Sequence, residues 1–351
     1  MSIFDHPDYD KHESISFIND ASTGLKAIIA VHNTNLGPSV GGCRMFPYAN
    51  SHAALADVLR LSSGMSYKAA MAGLPQGGGK AVIIGDPKTD KSHALMQAMG
   101  KFVNSCDGKY IIAEDSGISV ADVNQMAKKT KFAGGNTAQY SIDGLPADGN
   151  PAPATSLGVF HSIQVAVEHV FNSDLTGKKV AIQGVGHVGL RLAKLLHEAG
   201  CELMVSDIFD DNLLIAEKQF GATIVSNSDI HKLDVDIFSP CALGGAINEN
   251  TITSLGASII AGAANNQLAT NEMDRLLLEK GICYVPDYLA NAGGIIDIHY
   301  QSIKNGSNVG LCERVAGISN TVRAVLEESS STGIPTQTVA NMKAEKILYS
   351  A

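Results

Sequence analysis

The sequence contains no block of basic residues, no C-x-x-C pair, no H-E-x-x-H motif and no apolar run long enough to cross a bilayer. Each absence excludes something. Of 351 residues, 26 are Lys or Arg and 35 are Asp or Glu, a formal net charge of −9. An acidic chain without a Lys/Arg cluster gains nothing from a phosphate backbone, so nucleic acid is not expected as a partner. The longest apolar runs, such as residues 27–31 and 258–264, have the length of strands, well short of the ~20 residues of a membrane helix. The start, MSIFDHPDYDKHES, has neither the basic lead nor the apolar core of a secretory signal, so a cytoplasmic location is expected. The six cysteines (Cys43, Cys106, Cys201, Cys241, Cys283 and Cys312) are spread too thinly for a disulfide framework and are expected to pack as reduced, small apolar side chains. The eleven histidines show no paired spacing, so no metal site is expected.

What is present is an apolar chain, 45% hydrophobic and 17% charged, long enough for two domains. In the first part, strands are expected at residues 25–31, 81–84 and 110–113, alternating with helices at 52–72 and 92–103. The Pro/Gly-rich stretch 143–153 (DGLPADGNPAP) marks the expected domain crossing. Thr155 is expected to cap a helix running to about residue 171. Beyond it, strands at 179–183, 203–206, 235–238, 258–260 and 282–285 alternate with helices at 188–199 and 212–220, and two helices follow at 311–328 and 338–348. Continuous apolar strands between helices point to an α/β fold with a doubly wound parallel sheet. The expected division is an α/β substrate-binding and catalytic domain over 1–145, joined by 331–351, and a Rossmann dinucleotide-binding domain over 150–330, with a cleft between.

Gly184, Gly186 and Gly189 form G-x-G-x-x-G, with Val185, His187 and Val188 between them, after an expected strand and opening an expected helix. The glycines permit the tight turn, the approach of a pyrophosphate to backbone, and close helix–strand packing; the helix N-terminus attracts the phosphates. Asp207 ends the next strand, where a carboxylate accepts hydrogen bonds from ribose hydroxyls and repels a 2′-phosphate. NAD is therefore the expected cofactor, in preference to NADP.

A second cluster lies upstream. Gly64-Met65-Ser66-Tyr67-Lys68 ends a helix, Gly77-Gly78-Gly79-Lys80 enters a strand, and Ala113-Glu114-Asp115 ends another. Lys80, between three glycines and an apolar strand, is expected to be held dry and to give up its proton more readily than a solvated lysine.

These stretches, with LGPSVGGCRM, GNPAPATSLGVF, AIQGVGHVG, PCALGG, AGAANNQL and PDYLANAGGIID, occur in one order from residue 36 to 297. The chain resembles the Glu/Leu/Phe/Val amino-acid dehydrogenases, most of all their leucine-type members. The resemblance implies that Lys68 binds the substrate α-carboxylate and that Lys80 activates water toward an iminium carbon. It gives Asp115 the task of moving protons to and from the amine. Thr155, Ala263 and Asn265 would face the nicotinamide, Asn266 would help to hold the substrate, and Cys241 and Ala242 would contact the cofactor through their backbone. A catalytic thiol at Cys241 and a catalytic imidazole at His187 are not expected.

The resemblance also surrounds the substrate side chain with Val40, Gly42, Met65, Ala113, Ile295 and Ile298. Glutamate enzymes carry a lysine before the paired glycines, where Val40 stands here. An apolar lining cannot compensate a buried γ-carboxylate, so an apolar substrate is expected. Bulky Ile295 and Ile298 favour leucine, isoleucine or valine; Val40, smaller than a leucine, leaves phenylalanine open. The implied reaction is reversible oxidative deamination to a 2-oxo acid and ammonia, by a homo-oligomer that in this family is often an octamer. A non-catalytic sensor on the same fold is the alternative from another class, and the joint presence of Lys68, Lys80 and Asp115 argues against it.

Overall fold

The computed structural model describes residues 3–142, 144 and 147–350. The sequence-expected crossing at 143–153 therefore lies partly outside the described residues. The first unit runs β1 (Ser14–Asp20), β2 (Leu25–Asn33), β3 (Ser39–Phe46), α1 (Ser51–Met71), β4 (Gly77–Ile84), α2 (His93–Asn104), β5 (Tyr110–Ala113) and α3 (Val120–Ala127). Its strands form one sheet in the order β1-β2-β4-β3-β5. β2 is antiparallel to β1 and β4, and β3 is parallel to β4 and β5.

Period-2 alternation divides this sheet's faces. Ala27, Ile29, Cys43, Met45, Ala81 and Ile83 turn to α2 and pack on Met96, Met99 and Val103. Ile28, Ala30 and Val82 turn the other way, onto Ala54, Val58 and Leu59 of α1. Lys80, two residues before Val82, therefore shares the face that α1 covers, as do Val40 and Gly42 on β3.

The second unit begins with α4 (Ala152–Phe171), followed by β6 (Lys179–Gln183), α5 (His187–Glu198), β7 (Glu202–Ser206), α6 (Asp210–Phe220), β8 (Thr223–Ile224), β9 (Ile237–Pro240), β10 (Ile259–Ile260), α7 (Glu272–Glu279) and β11 (Cys283–Tyr284). All strand pairs are parallel, in the order β11-β10-β9-β6-β7-β8. The chain leaves β6 toward β7 and returns to its other side as β9, creating a switch point at which loops diverge and ligands bind. Val180, Ile182 and Val205 pack on Val159, Ile163 and Leu192 on one face; Ala181, Phe238 and Ile260 pack on Met273 and Leu277 on the other. The chain closes with α8 (Asp287–Ala290), α9 (Gly293–Tyr300), α10 (Asn308–Ala316), α11 (Ile318–Thr332) and α12 (Thr336–Tyr349). α12 packs against both α11 and α1. Among the described residues no helix is long and apolar enough to cross a membrane.

Several boundaries differ from the sequence expectation. β1 and β3 were not expected. The pair Gly41-Gly42 lies within β3 and pairs with β5; glycine is needed there because an ideal Cβ on Gly41 would stand 1.7 Å from the carbonyl oxygen of Gly79 on β4. β4 itself starts at Gly77, not residue 81; a Cβ on Gly78 would stand 2.0 Å from the Ser66 nitrogen, so glycine is what lets α1 lie on this strand. Thr155 is not a cap. The helix starts three residues earlier, where Pro151 and Pro153 occupy positions whose N–H groups need no partner, and Thr155 Oγ1 donates to the Pro151 carbonyl at 2.9 Å. The expected helix 311–328 is two helices parted at Gly317, a poor helix former.

Candidate active site

The open end of the α1-covered face meets the loops above β6, β9 and β10 across a cleft of about 600 Å³. Of the residues singled out from sequence, Gly42, Met65, Lys68, Lys80, Asp115, Thr155, Val188, Ala263, Asn265, Asn266, Ile295 and Ile298 line it. Val40 and Ala113 do not reach the lining; they are buried, on the face that carries Gly42 and Lys80. Gly184, Gly186, His187, Gly189, Asp207, Cys241 and Ala242 lie beyond it, around the start of α5.

Lys80 is 6% exposed, with Nζ 2.7 Å from Asp115 Oδ2. Asp115 follows directly on β5 and its neighbour Glu114. Burial alone would raise the Asp115 carboxyl, but the Lys80 and Arg44 charges outweigh it and hold it below the usual range. For Glu114 burial first, and then the Asp115 charge, outweigh the opposing pull of Lys80 and push it up to about 7. Lys68, in the last turn of α1, donates to Asn265 Oδ1 at 3.3 Å. Burial pulls its ammonium down to about 8, against the pull of Asp287. Asn291 Nδ2 donates to the same Asn265 oxygen at 2.8 Å and to the Ala263 carbonyl at 3.1 Å, fixing that loop opposite Lys68. Asn266 adopts φ +53°, in the left-handed region.

The apolar end of the cleft is made by Met65, Ile295 and Ile298. Gly134 and Gly135 back onto Ile298, and ideal Cβ atoms there would come within 3.5 Å and 3.4 Å of its side chain.

At the second unit, Gly184 has φ +94°, and its Cβ would strike Ala242 at 2.8 Å. A Cβ on Gly189 would stand 2.0 Å from the Gly184 carbonyl oxygen. Gly186 is different, with nothing within 4 Å of its Cβ position, and no side chain caps α5 at that residue. The loop thus presents uncapped helix N–H groups to open space, the arrangement that receives an anion. His187 is exposed at the head of α5. Asp207 Oδ2 accepts the Val185 N–H at 2.7 Å and Oδ1 that of Phe209 at 3.0 Å, which ties β7 to the glycine loop. Burial raises the Cys241 thiol above its ordinary value, which disfavours the thiolate.

Sequence reasoning passed over Arg44, Glu114, Asp287, Asn291, Gly134 and Gly135. Arg44 had a signal, lying at even spacing from Val40 and Gly42 on one strand. Asn291 had none that can be read without its loop partner.

Comparison with known proteins gives the same frame. The family described as Glu/Leu/Phe/Val dehydrogenase, dimerisation domain, matches residues 12–132. The one described as Glutamate/Leucine/Phenylalanine/Valine dehydrogenase matches 150–209 and 206–344. Leucine dehydrogenase of Thermoactinomyces intermedius is 42% identical over 347 residues, covering 99% of this chain and 93% of the relative. L-tryptophan dehydrogenase of Nostoc punctiforme is 45% identical over 336 residues, 95% of this chain and 92% of the relative. Its crystal structure aligns with a TM-score of 0.80 over 97% of this chain and 96% of that one, at 43% identity. Phenylalanine dehydrogenase of Lysinibacillus sphaericus is 42% identical over 344 residues, 96% of this chain and 88% of the relative. With both halves matched and relatives similar over nearly its whole length, the chain belongs to the Glu/Leu/Phe/Val amino-acid dehydrogenase family.

Proposed function

We propose that this chain catalyses the reversible NAD-dependent oxidative deamination of L-leucine and other branched-chain amino acids to 2-oxo acids and ammonia. One observation carries the reading: a buried lysine 2.7 Å from a carboxylate, and a second lysine at the cleft wall, all open onto one cavity with an apolar end. In this reading Lys68 pins the α-carboxylate as a cation, and Gly42, Met65, Ile295 and Ile298 surround the side chain, with Val40 and Ala113 buried behind that lining. Asp115 receives a proton from the amine. Loss of hydride from Cα leaves an iminium carbon, and Lys80, acting in its unprotonated form, takes a proton of the water that attacks it. Lys80 Nζ and Asp115 Oδ2 are close enough for a proton to pass between them. Asp115 then returns a proton to nitrogen, and Lys80, relieved of its first proton through Asp115, takes the hydroxyl proton as the carbonyl forms and ammonia leaves.

The residues above β6 suit NAD, which when bound supplies the hydride acceptor. The vacant space beside Gly186 and the uncapped start of α5 would take the pyrophosphate. Asp207 would take the ribose hydroxyls, and Thr155, Ala263, Asn265 and the Cys241–Ala242 backbone the nicotinamide end. Residues 1–145 with 331–351 would then be the substrate-binding domain and 150–330 the cofactor domain of a cytoplasmic homo-oligomer, with closure expelling water during hydride transfer.

An aromatic preference is the competing reading. The phenylalanine and tryptophan dehydrogenases are as similar in sequence as the leucine enzymes, and Gly134 and Gly135 place no side chain against Ile298. Specificity constants for leucine, valine, phenylalanine and tryptophan decide between them. The proposal expects leucine to lead both aromatics by about tenfold or more, the worth of one or two methylenes of fit. Phenylalanine or tryptophan in the lead would replace it. No reduced nicotinamide formed with any apolar amino acid at alkaline pH would leave a sensor.

A further inference from the structure

Asp115 Oδ2 meets two cations. Lys80 Nζ lies 2.7 Å away and Arg44 Nε 3.3 Å away. Arg44 is in turn gripped at its other end. Its Nη1 donates to both oxygens of Asp57, at 2.9 Å and 3.3 Å, and Asp57 Oδ2 also accepts the Tyr48 hydroxyl at 2.5 Å. Arg44 stands on β3, Asp57 on α1 and Tyr48 on the connection between them, so the contacts run from the helix into the reaction centre. None of the three lines the cleft. Asp115 Oδ2 is fully buried although 19% of the side chain is exposed, so the surface that this residue offers to the cleft belongs to its other atoms.

We propose that Arg44 is a positioning residue for Asp115: it holds Oδ2 beside Lys80, leaves the rest of the carboxyl to face the substrate amine, and is itself held in place by Asp57 and Tyr48. The inference rests on Asp115 being the proton carrier of the proposed reaction. Arg44 Nε meets Asp115 as an ion pair without hydrogen-bond geometry, so it acts on that carboxylate through its charge, from a guanidinium whose place is fixed by its hydrogen bonds to Asp57. Among the described residues, the other titratable and charged groups about Asp115 are Lys80 on β4, Cys43 on β3, Glu114 beside it, Tyr110 on β5, Lys68 on α1 and Tyr48 between β3 and α1. Of these only Lys80 matches Arg44 in sign at ion-pair distance.

The test compares Arg44→Gln, Arg44→Lys and Asp57→Asn with the parent chain. It measures the pH profile of kcat/KM for leucine, the KM for NAD, the melting temperature, and the titration of the Asp115 carboxyl by infrared difference spectroscopy, with Asp115→Asn to assign the band. Arg44→Gln should move the acid limb of kcat/KM and the infrared titration upward together, by about one pH unit or more, since a neighbouring arginine lowers a carboxyl by roughly that much. Its kcat should fall about tenfold or more while the KM for NAD stays within about twofold. Arg44→Lys should restore the acid limb but only part of kcat, and Asp57→Asn should lower kcat without moving the limb. An unmoved infrared titration in Arg44→Gln, or a loss of rate fully accounted for by the unfolded fraction, overturns the inference. Absence of turnover in the parent chain would sink the proposed reaction instead, and the infrared titration would still decide on Arg44.

Discussion

Lys80→Ala separates a catalytic role for the buried lysine from a structural one. The substitution removes a cation 2.7 Å from Asp115. Breaking a buried pair costs about 3–5 kcal/mol when the surviving charge is left alone. Arg44 remains 3.3 Å from the same oxygen, so the expected loss of stability is at the lower end, about 3 kcal/mol or less. The loss of activity should be larger in kind. Removing a positioned general base lowers kcat by about 10²–10⁴-fold, ~3–5 kcal/mol in the barrier. NAD affinity should be unaffected, because Lys80 is on β4 and the glycine loop follows β6. The assay is reduced-nicotinamide absorbance with leucine and NAD, beside a fluorescence titration of NAD binding and a melting curve. The truncated side chain leaves a buried space next to Asp115, so added methylamine or ethylamine should restore part of kcat in proportion to its concentration. Turnover of Lys80→Ala within about tenfold of the parent, in folded protein, would refute the role given to this residue.

Three further outcomes are expected. Gly186→Ala should leave the melting temperature nearly unchanged, because its Cβ meets nothing within 4 Å, yet weaken NAD binding; Gly189→Ala, whose Cβ would stand 2.0 Å from the Gly184 carbonyl oxygen, should lower both. Equal behaviour of the two would contradict the cradle. Asp207→Ala should shift the NAD-to-NADP preference by about tenfold or more toward NADP, since a like charge facing a phosphate is worth several kcal/mol; an unchanged ratio of specificity constants would argue against Asp207 as the discriminating group. Burial pulls Lys68 down to about 8, so the cation proposed to bind the α-carboxylate should be lost as pH rises through that value. KM for leucine should therefore climb above about pH 8. Lys68→Met should raise KM about 10- to 100-fold, the worth of a hydrogen bond to a charged group, and abolish that climb; a pH dependence that survives the substitution would assign it elsewhere.

Where the sequence could be read and where it could not follows from how local each cause is. β6, α5 and β7 are each specified within their own residues: an apolar run, a glycine turn, an amphipathic helix, a terminal acid. β3 is not. Its Gly41-Gly42 pair looks like a loop until the Gly79 carbonyl is placed against it. β10 and β11 have only two residues each, too few for a period, and depend on their neighbours for existence. Thr155 reads as a cap because threonine before an apolar stretch usually is one; two prolines, harmless in a first turn, carry the helix past it. The candidate site divides in the same way. Lys68 in the last turn of α1 and Asp115 just past β5 stand where elements end, and Lys80, though inside β4, is marked by the three glycines before it. Asn291 matters only because it reaches Asn265, 26 positions away, and Arg44 only because Asp57 and Asp115 converge on it from two other elements.

The packing of α12 on α1 makes the cleft wall a late product of synthesis. Tyr67, next to Lys68, gives its hydroxyl hydrogen to Glu345 at 2.8 Å, and Asn35 donates to the Leu348 carbonyl at 2.8 Å. A nascent polypeptide must therefore release a further 278 residues after Tyr67 before the helix bearing Lys68 acquires its outer buttress. Contacts so distant along the chain slow folding. Proteolytic nicking within residues 340–350 should accordingly loosen the end of α1 that carries Lys68 first, while the parallel sheet of the second unit keeps its shape.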